Sequence, residues 1–181
     1  MPSTKPLQDR DEKREELVTA ARALFITDGF EATSIAKLAG TVGVTANTVY
    51  WYFDDKDALL VAVLDAVLAE AWAEYERVAT RPLDAQLEWV VDQLRQMHRL
   101  VTTVHARIGR SPTLSSWHDN FHALTEGLLR AALQQSGAAP ENLDADVKIG
   151  IFTIEGLLIH DLDQPQRRAV CRRLAMLPAA H

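Results

Sequence analysis

The sequence predicts an all-α fold, and three features predict it. Apolar residues recur at spacings of three and four almost from end to end, alternating strand-like runs are few, and glycine, proline and short polar stretches fall where helices of ordinary length must stop. No repeat or low-complexity tract interrupts the pattern. With 181 residues and 48% hydrophobic content, the chain suits one mid-sized domain or a small domain fused to a larger one.

The elements follow in order. Leu17, Ala20, Ala21, Leu24 and Phe25 give an amphipathic helix over about 11–28, closed by Gly29, with Phe30 folding back. Thr33 or Ser34 caps a second, short helix whose inward face is Ile35, Leu38, Ala39 and Val42, and Gly43 ends it. Thr45 caps a third through Tyr52. Asp54 or Asp55 caps a long fourth, lined by Leu59, Leu60, Val63, Leu64, Val67, Leu68 and Trp72 and bounded by Pro82. Further helices are expected over about 83–104, 115–135, 143–160 and 165–176. The domain reading is 1–55, with residues 1–10 as a disordered arm, followed by 56–181.

Composition excludes several classes. No run of eighteen apolar residues and no apolar signal core exist, so neither a membrane span nor export is expected and the cytoplasm is the default. Cys171 is the lone cysteine, which leaves no intrachain disulfide and no cysteine-rich zinc site. The net charge of −6 argues against a surface coated with nucleic-acid-binding charge, so any DNA contact must be local.

Ala39, Gly43 and Val49 have the spacing a helix-turn-helix requires. The small residue lets two helices approach, the glycine allows positive φ in the turn, and the β-branched residue plugs the angle between them. A recognition helix enters the major groove by its N-terminal end, which puts Thr45, Ala46, Asn47 and Thr48 near base edges; the Asn47 amide could pair bidentately with adenine. Val49 and Phe53, four apart, should face inward.

The wider window, with Phe25, Gly29-Phe30, Thr33-Ser34, Leu38-Ala39, Gly43-Val44-Thr45, Thr48-Val49-Tyr50, Tyr52-Phe53, Lys56 and Ala58-Leu59-Leu60, resembles the DNA-binding domain of the tetracycline-repressor (TetR) family over roughly residues 11–65. The resemblance implies a homodimeric, effector-released regulator, in most members a repressor, of a palindromic double-stranded operator. Its implied DNA contacts are Thr33, Ser34, Thr45, Ala46, Asn47, Thr48, Tyr50, Trp51, Tyr52 and Lys56, with Tyr50 and Lys56 on phosphate. For Trp51 and Tyr52, DNA contact and a lid on the domain's core stand as alternatives. Lys5, Arg10, Lys13 and Arg14 could touch the minor groove or form an exposed terminus.

Beyond about residue 80 the resemblance is to architecture. It implies that the last two helices pair with a second copy, through Ile151, Ile154, Leu158, Val170 and Leu174, with Gly150 and Gly156 allowing close approach. An effector pocket would draw on Trp72, Trp89, Met97, His98, Val101, His105, Trp117, Phe121 and Phe152, residues that could equally be ordinary core.

Two rival readings follow from single features. His118 and His122, four apart, resemble half of a zinc-protease helix, but Asp119 stands where that pattern needs glutamate and no third ligand is evident. The acidic balance fits a protein-binding module whose helix-turn-helix no longer reads DNA. No catalytic group, cofactor or metal is expected.

Overall fold

A computed structural model describes the backbone of residues 5–177 and the side chains from residue 9 on. Among these residues there are nine helices and no strand: α1 (Lys5–Thr27), α2 (Ile35–Val42), α3 (Ala46–Tyr52), α4 (Lys56–Val78), α5 (Leu83–Gln96), α6 (His98–Arg107), α7 (Pro112–Gln135), α8 (Leu143–Ile159) and α9 (Gln164–Ala175). No helix among them is long and apolar enough to cross a membrane.

Two boundaries differ from expectation. Residues 5–10 form the first turns of α1, so the expected arm is helical there; residues 1–4 lie outside the described residues. The single helix expected over 83–104 is broken at Met97, which turns to φ −97° and ψ 18° while its N–H bonds back to Gln93. Neither glycine nor proline marks that break, so the sequence pattern runs through it.

The chain divides into two compact units, one of the residues up to Glu70 with Arg99–Trp117, the other of Ala71–His98 with the residues from His118 on. The units follow packing and do not coincide with a boundary at residue 55. That boundary remains our proposal for where the DNA-reading part ends.

In the first unit Leu17, Phe25, Leu38, Val49, Leu59, Leu60 and Val63 are fully buried, so the inward faces of α1 to α4 share one core. Gly29, at φ 92°, turns the chain out of α1 and brings Phe30 back onto Phe25, ring centroids 5.0 Å apart. The carbonyls left open at the end of α1 are taken by an arginine of α6: Arg99 Nη1 donates to Ile26 O and Thr27 O at 2.8 and 2.6 Å.

In the second unit the core is built from α5, α7, α8 and α9, with Leu87, Val91, Leu129, Leu133, Val147, Leu157, Cys171 and Leu174 buried. Burial pushes the Cys171 thiol up to about 11, which makes it an inert filler. At Gly150 a methyl group would lie 2.5 Å from Leu129 Cδ2, so the missing side chain is what lets Leu129 lie against α8. α9 opens on a capping box, Asp163 accepting from Gln166 N–H while the Gln166 side chain accepts from Asp163 N–H.

Candidate nucleic-acid interface

The α2–turn–α3 segment is set by caps at each end. Ser34 accepts from Lys37 N–H to open α2, and Gly43 closes it in the left-handed region at φ 71°, where a side chain would be strained. Val44 N–H then returns to Ala39 O at 2.9 Å, which tightens the turn. Thr45, extended at φ −87° and ψ 158°, accepts from Thr48 N–H, and the Thr45 and Thr48 hydroxyls lie 3.0 Å apart. The first turn of α3 is therefore fixed by its own side chains.

Helix geometry then separates the faces. Val49 is fully buried and Phe53 nearly so, as their spacing requires, while Thr45, Asn47, Tyr50 and Trp51 stand outward. Trp51 is 64% and Tyr50 52% exposed, a large apolar surface to leave in water. Tyr52 is half-buried and meets the Trp51 ring edge-on at 5.1 Å. Of the two rings, Trp51 is thus presented and Tyr52 braces it. The Arg10 guanidinium stacks over Trp51 at 4.4 Å, and that of Arg14 lies 5.2 Å from the Phe53 ring centroid. Lys13 pairs with Glu16; the Lys5 side chain lies outside the described residues.

Two of the expected contact residues are held by the 29–33 turn itself. Thr33 is buried and its hydroxyl donates to Gly29 O at 2.9 Å, so it stabilises the 29–33 turn and leaves the outward position to Ser34. The Lys56 ammonium donates to Phe30 O and Thr33 O at 2.8 and 3.0 Å and sits 4.1 Å from the Phe30 ring centroid, a clamp on that turn. Burial lowers its pKa from the usual ammonium range.

Beside this clamp lies a group the sequence reading missed. Arg107 of α6 holds Asp57, in the first turn of α4, with two hydrogen bonds of 2.7 and 2.8 Å and reaches Glu31 at 3.1 Å. Burial alone would raise the Asp57 pKa; hydrogen bonds from Arg107 and Ser111 overcome it and hold the carboxyl below its usual range. The same bond raises the pKa of Arg107. Fifty residues separate the partners, and no local pattern announces such a pair.

Of the expected effector residues, Trp72 and Trp89 are brought together through Tyr75, ring centroids 6.0 and 5.8 Å apart, with Tyr75 OH donating to Gln86. Met97 and Phe121 are half-buried and His98 is exposed in the same unit; Val101, His105 and Trp117 belong to the other. Trp117 Nε1 donates to Asp65 at 2.8 Å. Phe152 is 66% exposed. The expected dimer residues are placed as follows within their own chain. Ile151 and Leu174 are buried in the core of their own chain, Ile154 and Val170 pack against that core, and Leu158 is half-buried, while Ile149, Phe152 and Ile159 are exposed. Asp144, Lys148 and Glu155 share one narrow stripe of α8 and most of the rest is apolar, so the sequence did not mark which apolar side faced inward.

Two short helices at a left-handed glycine, a buried plug and an outward polar edge on an all-α body define a helix-turn-helix transcriptional regulator. Residues 17–63 match the signature of the bacterial regulatory proteins of the tetR family. The chain is 28% identical over 187 residues to the HTH-type transcriptional regulator SrpR of Pseudomonas putida, an alignment covering 95% of this chain and 85% of that protein. It is 31% identical over 97 residues to the uncharacterized HTH-type transcriptional regulator TtgW, also of Pseudomonas putida, covering 52% of this chain and 69% of that protein. A crystal structure from Mesorhizobium loti MAFF303099, described as a TetR-family transcriptional regulator, shares the fold with TM-score 0.72 at 18% identity, over 94% of this chain and 96% of that one. The chain belongs to the TetR family of transcriptional regulators.

Proposed function

We propose that the protein is a homodimeric repressor that reads a palindromic operator with α3 and leaves it when a small-molecule effector binds. The observation that carries the DNA reading is the outward edge of α3. Thr45, Ala46, Asn47 and Thr48 are short side chains at the N-terminal turn, and Tyr50 and Trp51 flank them as exposed rings. Asn47 suits bidentate readout of adenine; Ser34, Tyr50 and Arg10 suit phosphate, and Trp51 a sugar or thymine methyl, with Tyr52 holding it.

A second copy is favoured by the exposed side of α8. Ala145, Ile149, Phe152, Gly156 and Ile159 follow one another at spacings of four, three, four and three, which is a helix-pairing seam, and Phe152 and Ile159 are 66% and 78% exposed. The seam replaces Ile151, Ile154, Leu158, Val170 and Leu174 in this reading. For the effector, the partly exposed Trp72–Tyr75–Trp89 ladder offers an apolar handle. Release requires that the effector bind better to a conformer whose recognition helices are misplaced.

Selection of bound fragments from a random DNA library tests the reading. A palindromic site with steep loss of affinity as salt rises is the expected result. A protein that retains no duplex at low salt is instead a protein-binding module.

A further inference from the structure

The histidine pair on α7 has no part in DNA reading, and its geometry is specific. His118 Nε2 and His122 Nε2 lie 3.0 Å apart, while the ring centroids are 4.3 Å apart at an interplanar angle of 57°. The two imidazoles share a hydrogen bond through these nitrogens, so an ion that took both would displace the proton between them. Glu155 of α8 brings Oε1 to 3.7 Å from His122 Nε2. The open groove around the pair is lined by His118, Asp119, His122, Ala123, Glu126 and Glu155. Of its three carboxylates, Glu126 is paired with Lys148 at 2.7 Å; Asp119 and Glu155 stand within ion-pair distance of the histidines themselves.

We propose that His118 and His122 chelate one divalent late transition-metal ion, with Glu155 accepting a hydrogen bond from a water that completes its coordination. Two metal–nitrogen bonds of about 2.0–2.1 Å ending on atoms 3.0 Å apart subtend roughly 95° at the ion. That is the angle between neighbouring ligands in a square-planar or octahedral site, the geometry of Cu(II) and Ni(II), and it is narrower than a tetrahedral zinc site requires. No group of three or more His, Cys, Asp or Glu side chains among the described residues could hold a metal ion, so the two imidazoles would be its protein ligands. Water therefore takes the remaining positions, and the bis-imidazole pair decides which metal binds. The groove's excess of carboxylate over ammonium favours a cation over an anionic or neutral ligand. Because the ligands come from α7 and the supporting carboxylate from α8, the ion braces these two helices.

The test is titration of the untagged full chain with Ni(II) and Cu(II), followed by calorimetry and by thermal unfolding. One ion per chain is expected, with Cu(II) tighter than Ni(II) and both tighter than Zn(II) in this site. His118→Asn and His122→Asn should each weaken binding at least tenfold, Glu155→Gln by a smaller factor, and His160→Asn not at all. Saturating Ni(II) should raise Tm for the unsubstituted chain and not for either histidine variant. The electron-spin resonance spectrum of the Cu(II) complex should show two equatorial imidazole nitrogens, a readout that does not depend on how well the variants fold. Binding that survives both histidine substitutions, no binding above the double variant, or fewer than two coordinated nitrogens each overturns the proposal.

Discussion

α3 and α8 are both apolar-rich helices that leave large hydrophobic side chains in water, yet they present opposite problems. In α3 the apolar and polar residues alternate with the helical turn, so Val49 and Phe53 go inward and Thr45, Asn47, Tyr50 and Trp51 go outward on geometry alone. α8 has only a narrow polar stripe, Asp144, Lys148 and Glu155, beside a wide apolar surface. Leu143, Val147, Ile151 and Leu157 are inward and Ile149, Phe152 and Ile159 outward, although all seven are apolar. A helix reveals its faces from sequence only when one of them is meant for water.

Substitutions on neighbouring residues can break this contrast. The largest effect is expected in α8. Ile151→Glu places a charge in the core and should prevent folding, whereas Phe152→Glu, one residue on, should leave far-UV circular dichroism unchanged and convert the proposed dimer to a monomer in analytical ultracentrifugation. A Phe152→Glu protein that stays dimeric would remove α8 from the interface.

The same pairing sharpens α3. Val49→Ala should lower stability by about 2 kcal/mol in denaturant titration because it empties a fully buried site. Asn47→Ala should leave stability unchanged and reduce discrimination between the selected operator and a one-base variant roughly tenfold or more, consistent with about 1–3 kcal/mol for a bidentate contact. If Asn47→Ala weakens all duplexes equally, Asn47 positions the helix without reading bases.

An effect of similar size with a distinctive pH dependence is expected at the α4–α6 ion pair. Asp57→Asn should destabilise the protein by roughly 1–3 kcal/mol at neutral pH. The folded-state pKa of Asp57 lies below its unfolded value, so its contribution is present above the unfolded value and lost as pH falls through the folded one. The difference between the two proteins should therefore shrink from about pH 4 downwards. A difference that is flat across that range would show that packing, not charge, holds α6 to α4.

The smallest effect belongs to Gly150. Alanine there must displace the tip of Leu129, at about 1–3 kcal/mol by overpacking, with the lower end expected because a terminal methyl can yield. Equal stability of the two proteins would mean that α7 and α8 are not held at that distance.

Much of the DNA-reading region is legible in the amino-acid pattern. The caps Ser34 and Thr45, the left-handed Gly43 and the plug Val49 are local, each set by residues within a few positions, and all appear where the sequence put them. The intrachain bonds of Thr33 and Lys56 to the 29–33 turn were not legible. Both are polar, and a polar residue near a functional turn reads as exposed unless its partners are known. Here the partners are backbone carbonyls of the 29–33 turn, which carry no side-chain signature.

The sequence by itself determined the all-α class, the helix-turn-helix and the division of the aromatic run into a buried Phe53 and an exposed Tyr50, because these follow from 3.6-residue periodicity and from caps that act over three or four residues. Tertiary structure alone decided that Trp51 stands out with Tyr52 behind it, that Arg107 rather than a nearer residue grips Asp57, that α8 turns Phe152 outward, and that His118 and His122 meet. Each of these depends on which residues meet across tens of positions in the chain. Helical spacing fixes where a side chain points from its own axis, but not what is packed opposite.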